Sequence, residues 1–127
     1  MSNFDNNRRL RILVVDDEWL VREALVDVLD EAGFSTRQAM SAAEALRQLQ
    51  RDEAVDVVVT DIEMPGMLNG VDLARVLAAQ RPEIGVLIVS GRRPRALPEG
   101  ARFLAKPFVP EELLHALNDL AASVSVH

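Results

Sequence analysis

The stretch Val55-Asp56-Val57-Val58-Val59-Thr60-Asp61-Ile62-Glu63-Met64-Pro65-Gly66 constrains the chain most. An apolar, β-branched run of this kind reads as a strand buried on both faces, and such strands belong to sheets covered above and below by helices. The run nevertheless ends on a carboxylate, Asp61, and then breaks at Met-Pro-Gly. Taken alone the Asp is ambiguous, because Asp also forms turns and caps helices. A charge at the end of a buried strand otherwise needs a partner or a chemical task, and only the other strand ends can decide.

Those ends recur in a regular order. Leu10 to Val15 is a short apolar strand that stops at Asp16-Asp17-Glu18. From Glu18 to Ala32 the apolar positions Val21, Leu25, Val28 and Leu29 fall at helical spacing, and Gly33 stands where a helix ends on a left-handed residue. Phe34 to Ala39 is a less apolar strand, suited to an edge. Ser41 and Glu44 have capping-box spacing before a helix through Ala45, Leu46 and Leu49. After the Val55–Thr60 strand, Val71 to Gln80 predicts a helix stopped by Pro82, and Ile84 to Val89 a purely apolar strand ending on Ser90-Gly91. A regular alternation would put another helix next, but Gly91, Pro94, Pro98 and Gly100 break helical geometry there. The expectation is a loop with at most one helical turn. Arg102 to Ala105 is the fifth strand, closed by Lys106-Pro107, and Pro110 to Ala122 the last helix, with Leu113, Leu114, Leu117 and Leu120 facing the core.

Five strands alternating with helices predict an open parallel sheet with helices on both faces. Ligands in such sheets sit at the carboxyl ends of the strands. This sequence places Asp16, Asp17, Asp61, Ser90 and Lys106 there.

Composition narrows the chemistry. A chain of 127 residues fits one domain, read as residues 10–123 between a flexible tail (1–9) and a short C-terminal tail (124–127). With no cysteine and two widely spaced histidines, thiolate, disulfide and zinc chemistry are excluded, and any metal is a hard ion held by oxygen. The net charge of −6 opposes binding to phosphate backbones, so no nucleic-acid partner is expected. Arg92, Arg93, Arg95 and Arg102 form local basic relief, read as a solvated loop or a protein-docking patch. No apolar run is long enough to span a bilayer and the N-terminus is no signal peptide, so a cytoplasmic protein without a membrane partner is expected.

Four motifs, Val14-Val15-Asp16-Asp17-Glu18, Thr60-Asp61-Ile62-Glu63-Met64-Pro65-Gly66, Ser90-Gly91 and Lys106-Pro107-Phe108, stand in this order at strand ends. Together they resemble the receiver domain of two-component response regulators, from Arg11 to Ala122. The resemblance implies a flavodoxin-like (CheY-like) three-layer sandwich with sheet order 2-1-3-4-5, here with the fourth helix shortened or missing. It implies that Asp61 accepts a phosphoryl group from a phosphohistidine of a histidine kinase or histidine phosphotransfer protein. Mg2+ would be held by Asp16, Asp17, Asp61 and the backbone carbonyl of Glu63. Lys106 and Ser90 would contact the phosphoryl group, and Ser90 and Phe103 would switch with it. Glu63, Gly91, Arg92 and Pro107 would flank the site, with a cis bond before Pro107. Such a domain catalyses its own phosphorylation and autodephosphorylation rather than turning over a separate substrate.

The implied strand order adds two expectations. Adjacent central strands about 4.8 Å apart would crowd Asp16 or Asp17 against Asp61 unless a cation lies between them. Glu63 and Arg92, each two residues beyond a strand end, are placed to pair as a shield over the phosphorylation site. The segment Met64 to Gly70 carries one residue more than the family's usual spacing. The missing helix puts dimerisation through the usual output face in doubt, so a monomer or weak dimer is expected, signalling to a protein the sequence does not name. Three rivals stand beside this reading: a pseudo-receiver that binds partners without phosphorylation, the receiver of a larger regulator or hybrid kinase, and a magnesium phosphohydrolase using Asp61 as nucleophile. His115, alone on the last helix, reads as an ordinary surface residue.

Overall fold

The computed structural model describes residues 9–51 and 54–125. The flexible tail expected over residues 1–9 falls almost wholly outside them, as do the last two residues of the chain. The elements run β1 (Arg11–Val15), α1 (Trp19–Glu31), β2 (Ser35–Ala39), α2 (Ala42–Gln50), β3 (Val57–Thr60), α3 (Gly70–Gln80), β4 (Gly85–Ser90), β5 (Ala101–Ala105) and α4 (Pro110–Ser125). All five strands are parallel, in the order β2-β1-β3-β4-β5. This is the expected topology, with the least apolar strand, β2, at an edge.

Strand side chains alternate between two cores. Leu13, Val15, Val58 and Ile88 pack with Ala45 and Leu49 of α2 and Leu73 and Leu77 of α3. Ile12, Val14, Val57, Val59, Leu87 and Val89 point the other way, onto Leu25 and Leu29 of α1 and Leu113 and Leu117 of α4. The period-two geometry of a strand therefore explains why β3 and β4 need apolar residues at every position.

Several boundaries differ by a residue or two from the sequence reading. Among the strands the largest shift is in β3, which begins at Val57, just after Asp56, which serves as an anchor. Its Oδ2 accepts the Arg11 backbone N–H at 2.8 Å, and its carboxylate pairs with the Arg11 guanidinium. The box expected at Ser41 and Glu44 is half formed. Ser41 Oγ accepts the Glu44 N–H at 3.1 Å, but Glu44 Oε1 accepts from Met40, one residue before the cap. A complete capping box appears instead at Asn69 and Asp72, at the start of α3. Gly33 has φ +99°, the left-handed residue that ends α1. The last helix continues to Ser125, three residues beyond the expected Ala122.

The connection from β4 to β5 holds no helix, and geometry explains why. It must return the chain past the six residues of β4, a distance of about 20 Å. Ten helical residues would advance only about 15 Å. A non-helical path of bends and a closing turn, stiffened by Pro94 and Pro98, makes the connection.

Candidate functional site at the carboxyl end of the sheet

Register brings the polar residues together. Val15 of β1 pairs with Thr60 of β3, so Asp16 and Asp61, each one residue on, leave adjacent strands side by side. Two backbone bonds fix these exits: Asp16 N–H donates to Ala39 O, and Asp61 N–H to Val15 O. Ser90 pairs with Ala105 across β4 and β5, and the Lys106 N–H donates to Ser90 O at 2.9 Å. The Lys106-Pro107 bond is cis, as expected.

The side chains then form a charged centre. Lys106 Nζ donates to Asp61 Oδ2 at 3.0 Å and lies 4.0 Å from Asp16 Oδ2. Asp61 Oδ1 accepts the backbone N–H groups of Ile62, at 2.6 Å, and Glu63, at 3.3 Å. Its side chain is 18% exposed, held by three donors yet open to an incoming group. Asp16 is different, with a side chain only 2% exposed. Its Oδ1 accepts the Glu18 N–H at 2.9 Å, while Oδ2 is the one buried side-chain oxygen or nitrogen among the described residues with no hydrogen-bond partner. Burial pushes the Asp16 carboxyl above its ordinary value of 3.8, and the charges of Asp61 and Asp17 push the same way. The Glu18 N–H and the Lys106 ammonium pull in the opposite direction without cancelling the effect.

Asp17 is exposed and lines an open concavity with Glu63, Met64, Asn69 and Asp72. Among the described residues no three acidic or histidine side chains gather tightly enough to cage an ion. The donor set still fits magnesium, which retains several waters and needs only one or two carboxylates. An orphaned buried oxygen on Asp16, facing Asp61, is a vacancy in hydrogen bonding that a hard cation satisfies.

Ser90 is buried, and its Oγ accepts the Arg92 N–H at 3.2 Å. The Arg92 guanidinium lies 3.5 Å from Glu63 Oε2, so the expected pair forms, with both side chains largely in solvent. Phe103 is half-buried on β5, packed toward the α2–α3 core, with the Arg93 guanidinium 5.3 Å from its ring centroid. His115 is exposed and contacts Asp119 at 3.5 Å, consistent with a surface residue.

Four supporting residues escape the sequence reading. Thr60 is fully buried, and its hydroxyl donates to the Asp61 carbonyl at 2.9 Å, tying down the loop. Arg22 donates to the Asp16 carbonyl at 2.7 Å and to Gln38, bracing the first acidic turn. Gly70 is the tightest point, since a Cβ there would lie 1.9 Å from the Asp61 carbonyl oxygen. Its N–H also donates to Ile62 O. Asn69 starts the helix that makes this approach. The Asn-x-x-Asp spacing at Asn69 and Asp72 was the available signal for the cap; the glycine's role depends on a distant backbone and left no local mark.

The family model of the response regulator receiver domain matches residues 12–118. The chain is 35% identical over 111 residues to the C4-dicarboxylate transport transcriptional regulatory protein DctD of Rhizobium meliloti, covering 83% of this chain and 24% of that protein. It is 37% identical over 117 residues to the response regulator MprA of Mycobacterium leprae, covering 87% and 50%. The chain thus spans about half the length of these curated relatives, or less. Among solved structures it resembles the response regulator TrrA of Thermotoga maritima in complex with Mg2+ and BeF, with TM-score 0.80, 30% identity and coverage of 87% and 98%. The strand order, the polar residues gathered at the strand ends and these matches lead to one conclusion: the chain belongs to the response regulator receiver domain family.

Proposed function

We propose that the chain is a phosphoacceptor response regulator in which Asp61 receives a phosphoryl group from a phosphohistidine on a histidine kinase or histidine phosphotransfer protein. A carboxylate oxygen of Asp61 attacks phosphorus, the P–N bond breaks, and its electron pair returns to the imidazole nitrogen. The product is an acyl phosphate. Attack of water on that phosphorus breaks the P–O bond, regenerates the carboxylate and releases inorganic phosphate carrying the water's protons.

The observation that carries this reading is the single ammonium of Lys106, 3.0 Å from Asp61 and 4.0 Å from the unpartnered oxygen of Asp16. Phosphoryl transfer needs positioning and neutralisation of oxygen charge, and Lys106 supplies a fixed cation at the acceptor. Asp16, Asp17, Asp61 and the Glu63 carbonyl would hold Mg2+, which supplies further positive charge to phosphoryl oxygens when bound. The Ser90 hydroxyl, free to donate while it accepts from Arg92, would bond a phosphoryl oxygen, with Phe103 responding on the next strand. Gly91 leaves the approach open, Pro107 orients the Lys106 backbone, and the Glu63–Arg92 pair would screen the acyl phosphate from water.

The signal passes to another protein, with the chain acting as a monomer or weak dimer in the cytoplasm. Among the described residues no helix is long and apolar enough to cross a membrane. The net charge of −6 argues against DNA as the direct target, whatever the relatives' remaining sequence does. Intact mass after incubation with acetyl phosphate and magnesium tests the reading. The wild type gains one phosphoryl group and Asp61→Ala gains none; a gain in both puts the site elsewhere, and a gain in neither favours a phosphorylation-independent module.

A further inference from the structure

The ten residues that replace a helix between β4 and β5 are fastened at Arg92 and Arg93 by three contacts, each to a different part of the site. The Arg92 backbone N–H donates to Ser90 Oγ. The Arg92 guanidinium pairs with Glu63, whose own N–H donates to Asp61 Oδ1. The next side chain, Arg93, lies over Phe103. Arg92 and Arg93 are consecutive, so one short piece of backbone links the Asp61 loop to the aromatic ring of β5.

Its two ends differ mechanically. Gly91 has nothing within 4 Å of where a Cβ would stand, so no side chain of its own restricts the backbone there. Pro94 has a fixed φ and restricts Arg93 to extended backbone, so Arg93 and Pro94 turn together. A doubly charged phosphoryl group competes with the single charge of Glu63 for Arg92, and guanidinium binds such oxygens in fork geometry.

We propose that Arg93 is a positioning residue that latches Phe103 and the 91–100 segment in the unphosphorylated arrangement, and that an anion on Asp61 opens the latch by drawing Arg92 from Glu63. The inference rests on the phosphoacceptor reading of Asp61. The latch contact exists only in the anion-free arrangement, so removing it favours the anion-bound one by the strength of the contact. For a guanidinium on an exposed aromatic face that amounts to about two- to five-fold in affinity.

The experiment titrates the whole chain with beryllofluoride and magnesium, following Trp19 fluorescence, with NMR of the Arg93 side chain in parallel. Arg93→Ala is expected to reach half-saturation at about two- to five-fold lower beryllofluoride than wild type, Arg93→Lys less far, and Phe103→Leu as far. Combining Arg93→Ala with Phe103→Leu adds nothing further, since both remove one contact. In the wild type, ring-current shifts of the Arg93 side-chain protons are lost at saturation. An unchanged or higher midpoint in Arg93→Ala overturns the latch, as does a ring-shifted Arg93 in the saturated wild type. A wild type that shows no response to beryllofluoride, together with no phosphoryl gain by mass, instead overturns the acceptor reading and the latch with it.

Discussion

Asp16→Asn tests the electrostatics of the site most directly. In chelated, magnesium-free buffer the wild type must keep a carboxylate that is 2% exposed, has one oxygen without a partner and faces two other carboxylates. Its folded-state pKa is raised above the ordinary 3.8, chiefly by burial. A raised carboxyl binds more protons in the folded than in the unfolded chain, so its contribution to stability is full below pH 3.8 and is lost as pH climbs through the folded value. At neutral pH Asp16 is therefore a liability. Asn keeps the acceptor for the Glu18 N–H and removes the charge, and relief of one unsatisfied buried group amounts to about 1–2 kcal/mol. Urea unfolding at pH 7 is expected to show Asp16→Asn more stable, with a midpoint displaced by roughly 0.5–1 M. The difference narrows toward pH 4. Adding magnesium offsets most or all of the difference: a ligand at tenfold excess over its dissociation constant stabilises by about 1.4 kcal/mol. That gain belongs to the wild type and is lost or greatly reduced in the variant. An Asp16→Asn protein less stable than wild type without magnesium, or equally stabilised by it, would refute the reasoning.

Lys106→Met removes a charge-assisted bond from Asp61 and leaves two carboxylates without their shared cation; phosphorylation by acetyl phosphate is expected to slow by about ten- to a hundred-fold in a mass time course. Unaltered kinetics would show the ammonium to be a bystander. Arg92→Ala is expected to shorten the acyl phosphate lifetime by no more than about five-fold, because an exposed pair contributes at most ~1 kcal/mol. An unchanged lifetime sinks the shield. Gly70→Ala forces a Cβ against the Asp61 carbonyl, and denaturant unfolding should register a loss of about 1–3 kcal/mol together with weaker magnesium binding; wild-type stability would mean that the loop yields freely.

The sheet and the principal charged residues were legible because both are written locally. Val57 to Val59 and Val86 to Val89 are apolar on both faces, and Asp16, Asp61, Ser90 and Lys106 stand at or just beyond the ends of such runs. The absent helix was legible too, since Pro94, Pro98 and two glycines are local signals. What sequence could not disclose depended on distance across the fold. Gly70 matters because the Asp61 carbonyl, nine residues earlier, passes beneath it. Glu44 finds the Met40 N–H rather than that of Ser41, a difference of one residue that spacing cannot resolve. Arg93 meets Phe103 only because the crossover is too short for a helix and runs back along β5.

That short crossover also bears on how the molecule assembles. Val86 meets Ala101 fifteen residues along the chain, whereas Ile12 must find Val57 forty-five residues away. The threefold difference in loop length adds about 1 kcal/mol of closure entropy to the β1–β3 pairing. The C-terminal strand pair can therefore form early and cheaply, while the pairing that sets Asp16 beside Asp61 is the most expensive in the sheet. A full-length chain refolding from the unfolded state would pair its last strands before Asp16 and Asp61 met, so that the charged centre arrives only with the complete sheet.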